Sequence, residues 1–393
     1  MRQRVVVIGG GGTGAALAHD LTLRGLAVTV LERGELTSGT TGRHHGLLHS
    51  GGRYAMTDRQ SAVECVQENR ILRRIAPGSF ENGGGLFVAV TDDDADQRDE
   101  FVDACAESGI PTRLLSRSAA LDAEPGLSPD VRLAVQVPDA TMDAMRLPLR
   151  FFATAQRGGA VLRPFTEAVT FVSNGRSITA VVARDHMAGR NVAVPADLVI
   201  NAAGPWSGRV AAMAGAEVPI RPSPGVLVAV TGRWCTHVVN RLHKPGDGDI
   251  VLPQRGLSVV GTSSWTVDDP DEVRVSSEHV RAILREGMRL VPAVGAASMR
   301  AAWAAVRPLI GATGSDASGR TLSRTFRCFD HAADGGADNL ITITGGKATT
   351  LRSMAEATAD IACAKLGVTT PCRTRDAVLL PHTAYYTSAE VGA

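Results

Sequence analysis

The chain has 393 residues, with 41 basic against 40 acidic side chains, 44% hydrophobic content and 42 glycines. That length suits two domains rather than one small core, and the near-zero net charge removes the basic footprint of a nucleic-acid binder. No run of 18 apolar residues predicts a transmembrane helix, and the six cysteines form no CxxC pair, so they read as free thiols of a reducing cytoplasm.

The N-terminus leads straight into a strand, Arg4 to Ile8, rather than a signal peptide. Gly9-Gly10-Gly11-Gly12-Thr13-Gly14 follows, then helical apolar spacing from Ala15 to Arg24, a stop at Gly25, and a second strand, Ala27 to Leu31, ending at Glu32. This is a βαβ unit with a parallel strand pair. Residues 33–57, rich in Gly, Thr, Ser and His, read as a long functional loop. Helical spacing resumes from Thr57 to Ile75. A strand at 85–90, a charged helix near 94–108 and a helix within 139–158 come next. Ala196 to Gly204 is a buried strand running into a glycine turn, and 218–330 alternates strands with one clear helix, Ser277 to Leu290. Leu340 to Thr344 is a strand entering Gly345-Gly346-Lys347, with a helix beyond it to about Leu366.

Strand–turn–helix pieces lie at both ends and in the middle, so two domains are expected to interleave. Residues 1–80, 140–215 and 331–380 are assigned to a Rossmann-like nucleotide domain, α/β in class. Residues 81–139 and 216–330 are assigned to a mixed-sheet α+β substrate cap, and 381–393 to a disordered tail.

Gly9, Gly11 and Gly14 fit G-x-G-x-x-G: a tight turn, close approach to a pyrophosphate, and close helix–strand packing. The helix N-terminus, with Gly12 and Thr13, favours the pyrophosphate anion. Glu32, 18 residues past Gly14, is placed to accept from ribose hydroxyls. A single such motif serves NAD or FAD. The later strands entering Asn201-Ala202-Ala203-Gly204-Pro205-Trp206 and Thr344-Gly345-Gly346-Lys347 suit a cofactor threading the whole domain. The helix opening at Gly345-Gly346 would stabilise a reduced flavin.

Several segments together resemble the FAD-dependent glycerol-3-phosphate dehydrogenases, and among them the large subunit of the anaerobic, quinone-linked enzyme. They are Gly9 to Arg33, Thr41-Gly42-Arg43-His44-His45-Gly46-Leu47-Leu48-His49-Ser50-Gly51-Gly52-Arg53-Tyr54, Asn201 to Trp206, Val306-Arg307-Pro308-Leu309, and Thr344-Gly345-Gly346-Lys347-Ala348-Thr349-Thr350-Leu351-Arg352. They run in order over nearly the whole chain. The resemblance implies FAD as cofactor and a fold of the glycine-oxidase and D-amino-acid-oxidase type with a capping domain. It also implies hydride transfer from C2 of sn-glycerol 3-phosphate, or of a phosphate or phosphonate analogue such as 2,3-dihydroxypropylphosphonate, to flavin N5.

The residues carried over by the resemblance divide by role. Arg53, Tyr54, Arg307, Arg324 and Lys347 would hold the anionic substrate, where arginine gives bidentate geometry. His49 is the candidate base, a role suited by a pKa near neutrality, with Arg307 also counted catalytic. Cofactor contacts are expected from Gly9, Gly11, Gly12, Thr13, Gly14, Glu32, Arg33, Thr41, Gly42, His44, His45, Gly46, Leu48, Ala203, Gly204, Trp206, Gly345, Gly346, Lys347, Ala348 and Thr349. No metal site is expected. Only three lysines occur, Lys244, Lys347 and Lys365, which adds weight to Lys347.

Departures from the family are Ser223-Pro224-Gly225-Val226 where it commonly has Lys-Gly-Ser, Leu351 in place of a tyrosine, and no C-terminal iron–sulfur domain. Two rival readings stay open: an oxidase of 2-hydroxyglutarate-like hydroxyacids or amino acids, and a non-catalytic flavin-binding electron-transfer protein. The acceptor (quinone, oxygen or a partner protein) is open, as is peripheral membrane association of a cytoplasmic protein.

Overall fold

The computed structural model describes residues 2–311 and 322–388. Its first unit is β1 (Arg4–Ile8), α1 (Gly12–Leu23) and β2 (Ala27–Leu31), with β1 and β2 parallel. Val5, Val6 and Val7 are all buried, as a strand covered on both faces of a parallel sheet requires. The sheet has six strands in the order Phe326–Asp330, Leu340–Gly345, Leu198–Asn201, β1, β2, Val161–Arg163. All pairings are parallel except that of the edge strand Phe326–Asp330.

One face of this sheet carries α1, Arg146–Arg157 and Leu351–Leu366, whose apolar sides close over Val5, Val7, Val28 and Val30. The other face is covered by an antiparallel meander, Thr166–Asn174, Ser177–Asp185 and Arg190–Pro195. Its Ala168, Ile178, Val181 and Val194 bury Val6, Ile8 and Leu31.

A second sheet has eight strands in the order Met299–Ile310, Ile220–Thr231, Leu257–Gly261, Ile250–Gln254, Val238–Arg241, Gly85–Ala89, Leu133–Val137, Arg113–Ser116. Strands from residues 85–137 thus join strands from 220–310 through the parallel pair Gly85–Ala89 and Val238–Arg241. The helix Ser277–Leu290, N-capped by Ser276, packs Ile283 and Leu290 against Val228, Val230, Val251 and Val260. The two sheets are stitched by a small one, Leu47–Leu48, Ala140–Met142 and Phe80–Glu81.

Several expectations change in detail. Phe326–Asp330, assigned above to the cap, is hydrogen-bonded to Leu340–Gly345 in the six-stranded sheet. The helix expected near 94–108 is two, Asp92–Asp96 and Arg98–Glu107, which meet at Gln97; Thr91 and Asp94 close a capping box at the start of the first. The segment 139–158 splits into the strand Ala140–Met142 and the helix Arg146–Arg157. Within the expected tail, Ala384–Ser388 is a short helix; residues 389–393 lie outside the described residues. Among the described residues, no helix is long and apolar enough to cross a membrane.

Candidate active site

The carboxyl ends of β1, Leu198–Asn201 and Leu340–Gly345 open into one cavity of about 1520 Å³ that reaches the eight-stranded sheet. This is the position at which open α/β sheets bind ligands. It exceeds the roughly 300–1,000 Å³ of a drug-sized site, so it can hold a dinucleotide and a small substrate together.

Backbone makes most of one end. Gly9 has φ +115° and lies so close to Ala202 that a Cβ would stand 2.5 Å from its carbonyl oxygen. Gly11 is the N-cap of α1 and supplies no capping side chain, and the helix opens onto the cavity at Gly12 and Thr13. Thr41 Oγ1 accepts from Gly12 N at 2.9 Å. Glu32 accepts from Gly10 N at 2.7 Å and Gly34 N at 2.9 Å, which fixes its carboxylate on the cavity wall. The rim is closed by Asp271, which takes Arg33 Nη2 at 2.8 Å, Trp206 Nε1 at 3.0 Å and Arg209 Nη1 at 2.7 Å. The Arg33 guanidinium lies 4.3 Å from the Trp206 ring centroid. Opposite, Gly345 and Gly346 (φ +83° and +71°) turn the chain into the helical stretch that begins at Ala348.

Side chains make the other end. His44, His45, His49 and Tyr54 follow one another in space, with neighbouring ring centroids 6.2, 5.9 and 5.3 Å apart. His44 Nδ1 accepts from Gly46 N at 2.9 Å and His45 Nδ1 from Leu47 N at 3.1 Å, so each neutral ring carries its proton on Nε2. Burial, then the charges of Arg53 and Lys347, push His49 down to about 3. It is therefore a neutral imidazole and not a group titrating near pH 7, contrary to the sequence expectation. Burial pushes Tyr54 up to about 12, so it is a hydroxyl donor.

The four cations differ. Arg53 pairs with Asp249 at 2.7 Å, and Lys347 lies 3.5 Å from Glu64 and donates to Arg324 O at 2.9 Å. Lys347 Nζ also sits 5.1 Å from the Tyr54 ring centroid. Arg324 N donates to Asp58 at 3.0 Å. Arg307 has no carboxylate partner among the described residues. Its guanidinium donates to Pro224 O at 3.2 Å, Ser223 O at 3.4 Å, Ser263 O at 3.2 Å and Thr262 Oγ1. Burial, followed by Arg324 and Arg53, brings it down to about 9. Gly225 makes this possible, since a Cβ there would stand 2.3 Å from Arg307 Nη2.

The cavity gathers most residues expected from sequence and leaves out four: Gly14, Gly46, Leu48 and Thr349. Gly14 faces Gly9, whose carbonyl oxygen would stand 1.9 Å from a Cβ, so its contribution is helix–strand packing. Gly46 is wedged against Gln254 and Met142, Leu48 is wholly buried in the core, and Thr349 Oγ1 accepts from His49 N at 3.0 Å. The sequence reading missed Thr344, Asp249, Thr262 and Asp271, each on the cavity or holding a residue that is. Of these only Thr344 carried a signal, as the residue preceding the second glycine turn.

Residues 4–361 match the family model described as FAD dependent oxidoreductase. The chain belongs to this family. It is 42% identical over 377 residues to an anaerobic glycerol-3-phosphate dehydrogenase subunit of Escherichia coli (strain K12), covering 95% of this chain and 69% of that protein. An anaerobic glycerol-3-phosphate dehydrogenase subunit of Haloferax volcanii is 40% identical over 383 residues, with 95% and 65% covered. The chain thus spans about two thirds of the length of these relatives. Among solved structures, the glycerol-3-phosphate dehydrogenase of Bacillus halodurans complexed with FAD has a TM-score of 0.74 at 25% identity, covering 96% of this chain and 68% of that one. Glycine oxidase of Bacillus cereus gives 0.73 at 21% identity, covering 96% and 98%, a likeness of fold.

FAD is the cofactor of this family member, and the residues present fit it. Gly9, Gly11 and Gly12 line the cavity at the N-terminus of α1 with no side chain of their own, where a pyrophosphate would sit beside Thr41, the acceptor of the Gly12 N–H. The Thr344 hydroxyl, buried on the cavity wall beside Gly345, has no partner among the described residues. A buried unpaired hydroxyl is costly, and a flavin edge is the type of group that would satisfy it.

Proposed function

We propose that the protein oxidises the C2 hydroxyl of sn-glycerol 3-phosphate, or of a close phosphate or phosphonate analogue such as 2,3-dihydroxypropylphosphonate, to the ketone. The observation that carries this reading is Arg307. A part-buried guanidinium on the cavity wall, without a carboxylate partner among the described residues and within the field of Arg324 and Arg53, calls for an anion in the cavity. Its Nη atoms donate to four protein oxygens, none of them charged, so the guanidinium is fixed in place and acts on an anion in the cavity through its uncompensated charge.

Held by the Gly9–Gly12 turn and the Gly345–Gly346 turn, bound FAD would supply the acceptor for the C2 hydride. The chain's own residues handle charge and proton. Tyr54 donates a hydrogen bond, and Lys347 and Arg324 add positive charge beside it. His49, neutral and on the cavity wall, takes the hydroxyl proton. A bound dianion offsets the positive field of Arg53 and Lys347, which raises the basicity of His49 when substrate is present.

A carboxylate substrate, as in 2-hydroxyacid or amino-acid oxidation, is the second reading. Asp249 and Glu64 already offset Arg53 and Lys347, which leaves a charge that also suits a monoanion. Anaerobic mixing with sn-glycerol 3-phosphate, the phosphonate and 2-hydroxyglutarate, scored by bleaching of oxidised flavin, separates the readings. Bleaching by 2-hydroxyglutarate alone would overturn the first.

A further inference from the structure

His49 lies in a turn that no sheet or helix ladder supports, between Leu47–Leu48 and the short helix Gly52–Ala55. Yet the peptide unit joining His49 to Ser50 is gripped at both of its polar atoms. On one side, the His49 carbonyl accepts from Asn69 Nδ2 at 3.1 Å. On the other, Ser50 N donates to Asp139 Oδ1 at 2.6 Å. The preceding N–H, that of His49, is taken by Thr349 Oγ1 at 3.0 Å.

The three anchors come from separate parts of the chain: the helix Arg59–Ile75, the residue before the strand Ala140–Met142, and the turn that follows Gly345-Gly346. All are buried, as are His49 and Ser50. The orientation of the Asn69 amide is itself determined. Arg73 Nε donates to Asn69 Oδ1 at 2.7 Å, which leaves Nδ2 for the His49 carbonyl, and Arg73 Nη2 donates to Pro138 O at 2.9 Å. Room for the Asp139 carboxylate depends on Gly85, where a Cβ would stand 2.5 Å from Asp139 Oδ2. Neither Asn69 nor Asp139 lines the cavity.

We infer that Asp139 and Asn69 are positioning residues that set the direction of the His49 ring by holding its peptide plane from opposite sides. This rests on the reading of His49 as the group that takes the substrate proton. Both side chains act through the backbone, so they govern turnover and leave the anion site and the flavin site in place. A misplacement of about 1 Å in a reacting group is enough to cost on the order of 100-fold in rate.

The test uses the FAD-loaded full chain with [13Cε1]-histidine, comparing Asp139→Ala, Asp139→Asn and Asn69→Ala with the wild type. Two readouts are taken: kcat and KM for sn-glycerol 3-phosphate with a dye acceptor, and the ring resonance of His49. In Asp139→Ala, kcat is expected to fall by about 10- to 100-fold with KM within about threefold, FAD content unchanged, and the His49 resonance displaced. Asp139→Asn keeps an oxygen for Ser50 N–H and is expected to recover most of kcat, with His49 near its wild-type shift. Asn69→Ala should reproduce the kcat loss from the other end of the same peptide, and it carries the test if Asp139→Ala fails to fold. An unmoved His49 resonance with unchanged kcat in Asp139→Ala or Asn69→Ala overturns the inference. So does a kcat loss in Asp139→Asn equal to that in Asp139→Ala, which would assign the effect to charge. If wild-type flavin is not bleached by sn-glycerol 3-phosphate, the substrate reading has failed, while the His49 resonance still decides the positioning role.

Discussion

At the nucleotide end of the cavity the wall is largely backbone, contributed by Gly9, Gly11, Gly12, Gly345 and Gly346 at the ends of the two parallel strands that flank Leu198–Asn201. At the substrate end it is side chains: His49 from a turn and Tyr54 from the short helix after it, Arg307 from the strand Met299–Ile310, and Arg324 and Lys347 from either side of the edge hairpin. The first end is rigid at Gly9 and Gly345, where an added Cβ meets the carbonyl oxygens of Ala202 and Thr325, backbone atoms that cannot yield. The second depends on side-chain partners such as Asp249, Glu64 and Thr262. Cofactor binding and substrate choice are therefore separable, and substitutions at the two ends should fail in different ways.

Gly14→Ala should have the largest effect. Its Cβ would press on the Gly9 carbonyl oxygen, an overpacking of about 3 kcal/mol. Flavin absorbance per chain is expected to fall sharply, with soluble yield falling alongside it. Full flavin content in this variant would break the claim that backbone packing defines the nucleotide end. Arg307→Ala is next and should act on the other end alone. Loss of charge-assisted contacts worth about 1.5–3 kcal/mol lowers kcat/KM for sn-glycerol 3-phosphate by about 10- to 150-fold. Flavin content should stay at the wild-type level; a joint loss of flavin would show that the ends are not separable.

The smallest effect is on stability and sharpens the picture of the framework beneath the nucleotide end. Burial pushes His19, on α1, down to about 4, and neither of its ring nitrogens has a hydrogen-bond partner among the described residues. In the unfolded chain a histidine takes up a proton near pH 6.5. Between about 6.5 and 4 the unfolded state therefore binds the extra proton, and stability falls as pH is lowered through that window. His44 and His49, down to about 4 and about 3, act in the same direction. His19→Leu should raise Tm by removing unpaired polar atoms worth about 1–3 kcal/mol, and should flatten the loss of Tm from pH 7 to 5. A lower Tm with undiminished pH dependence would show that the ring is satisfied in the folded chain.

The sequence carried the nucleotide end well because local rules write it. A glycine turn between a strand and a helix has few alternatives, and Gly9, Gly11 and Glu32 could be placed by spacing alone. Gly14, counted with the cofactor contacts, turns out to pack the helix on the strand, a role the same motif also requires. The substrate end was legible only through resemblance, since Arg53, Arg307 and Lys347 lie far apart along the chain, on a short helix, a strand and a turn that line the same cavity. Its electrostatics were not legible at all. The depressed basicity of His49 arises from burial and from two cations that no local pattern places beside it. The edge strand Phe326–Asp330 was assigned to the wrong sheet for a similar reason: its apolar content fits either, and only its pairing with Leu340–Gly345 decides.

The central claim is that an anion-binding, hydroxyl-oxidising end faces a bound flavin, and anaerobic flavin reduction by sn-glycerol 3-phosphate tests it most directly. The wild-type holoprotein should bleach within turnover time with sn-glycerol 3-phosphate or its phosphonate analogue, and Arg307→Ala, equally loaded with flavin, should bleach more slowly by the factor given above. Flavin that stays oxidised with both phosphorus compounds, yet is reduced by 2-hydroxyglutarate or an amino acid, would contradict it.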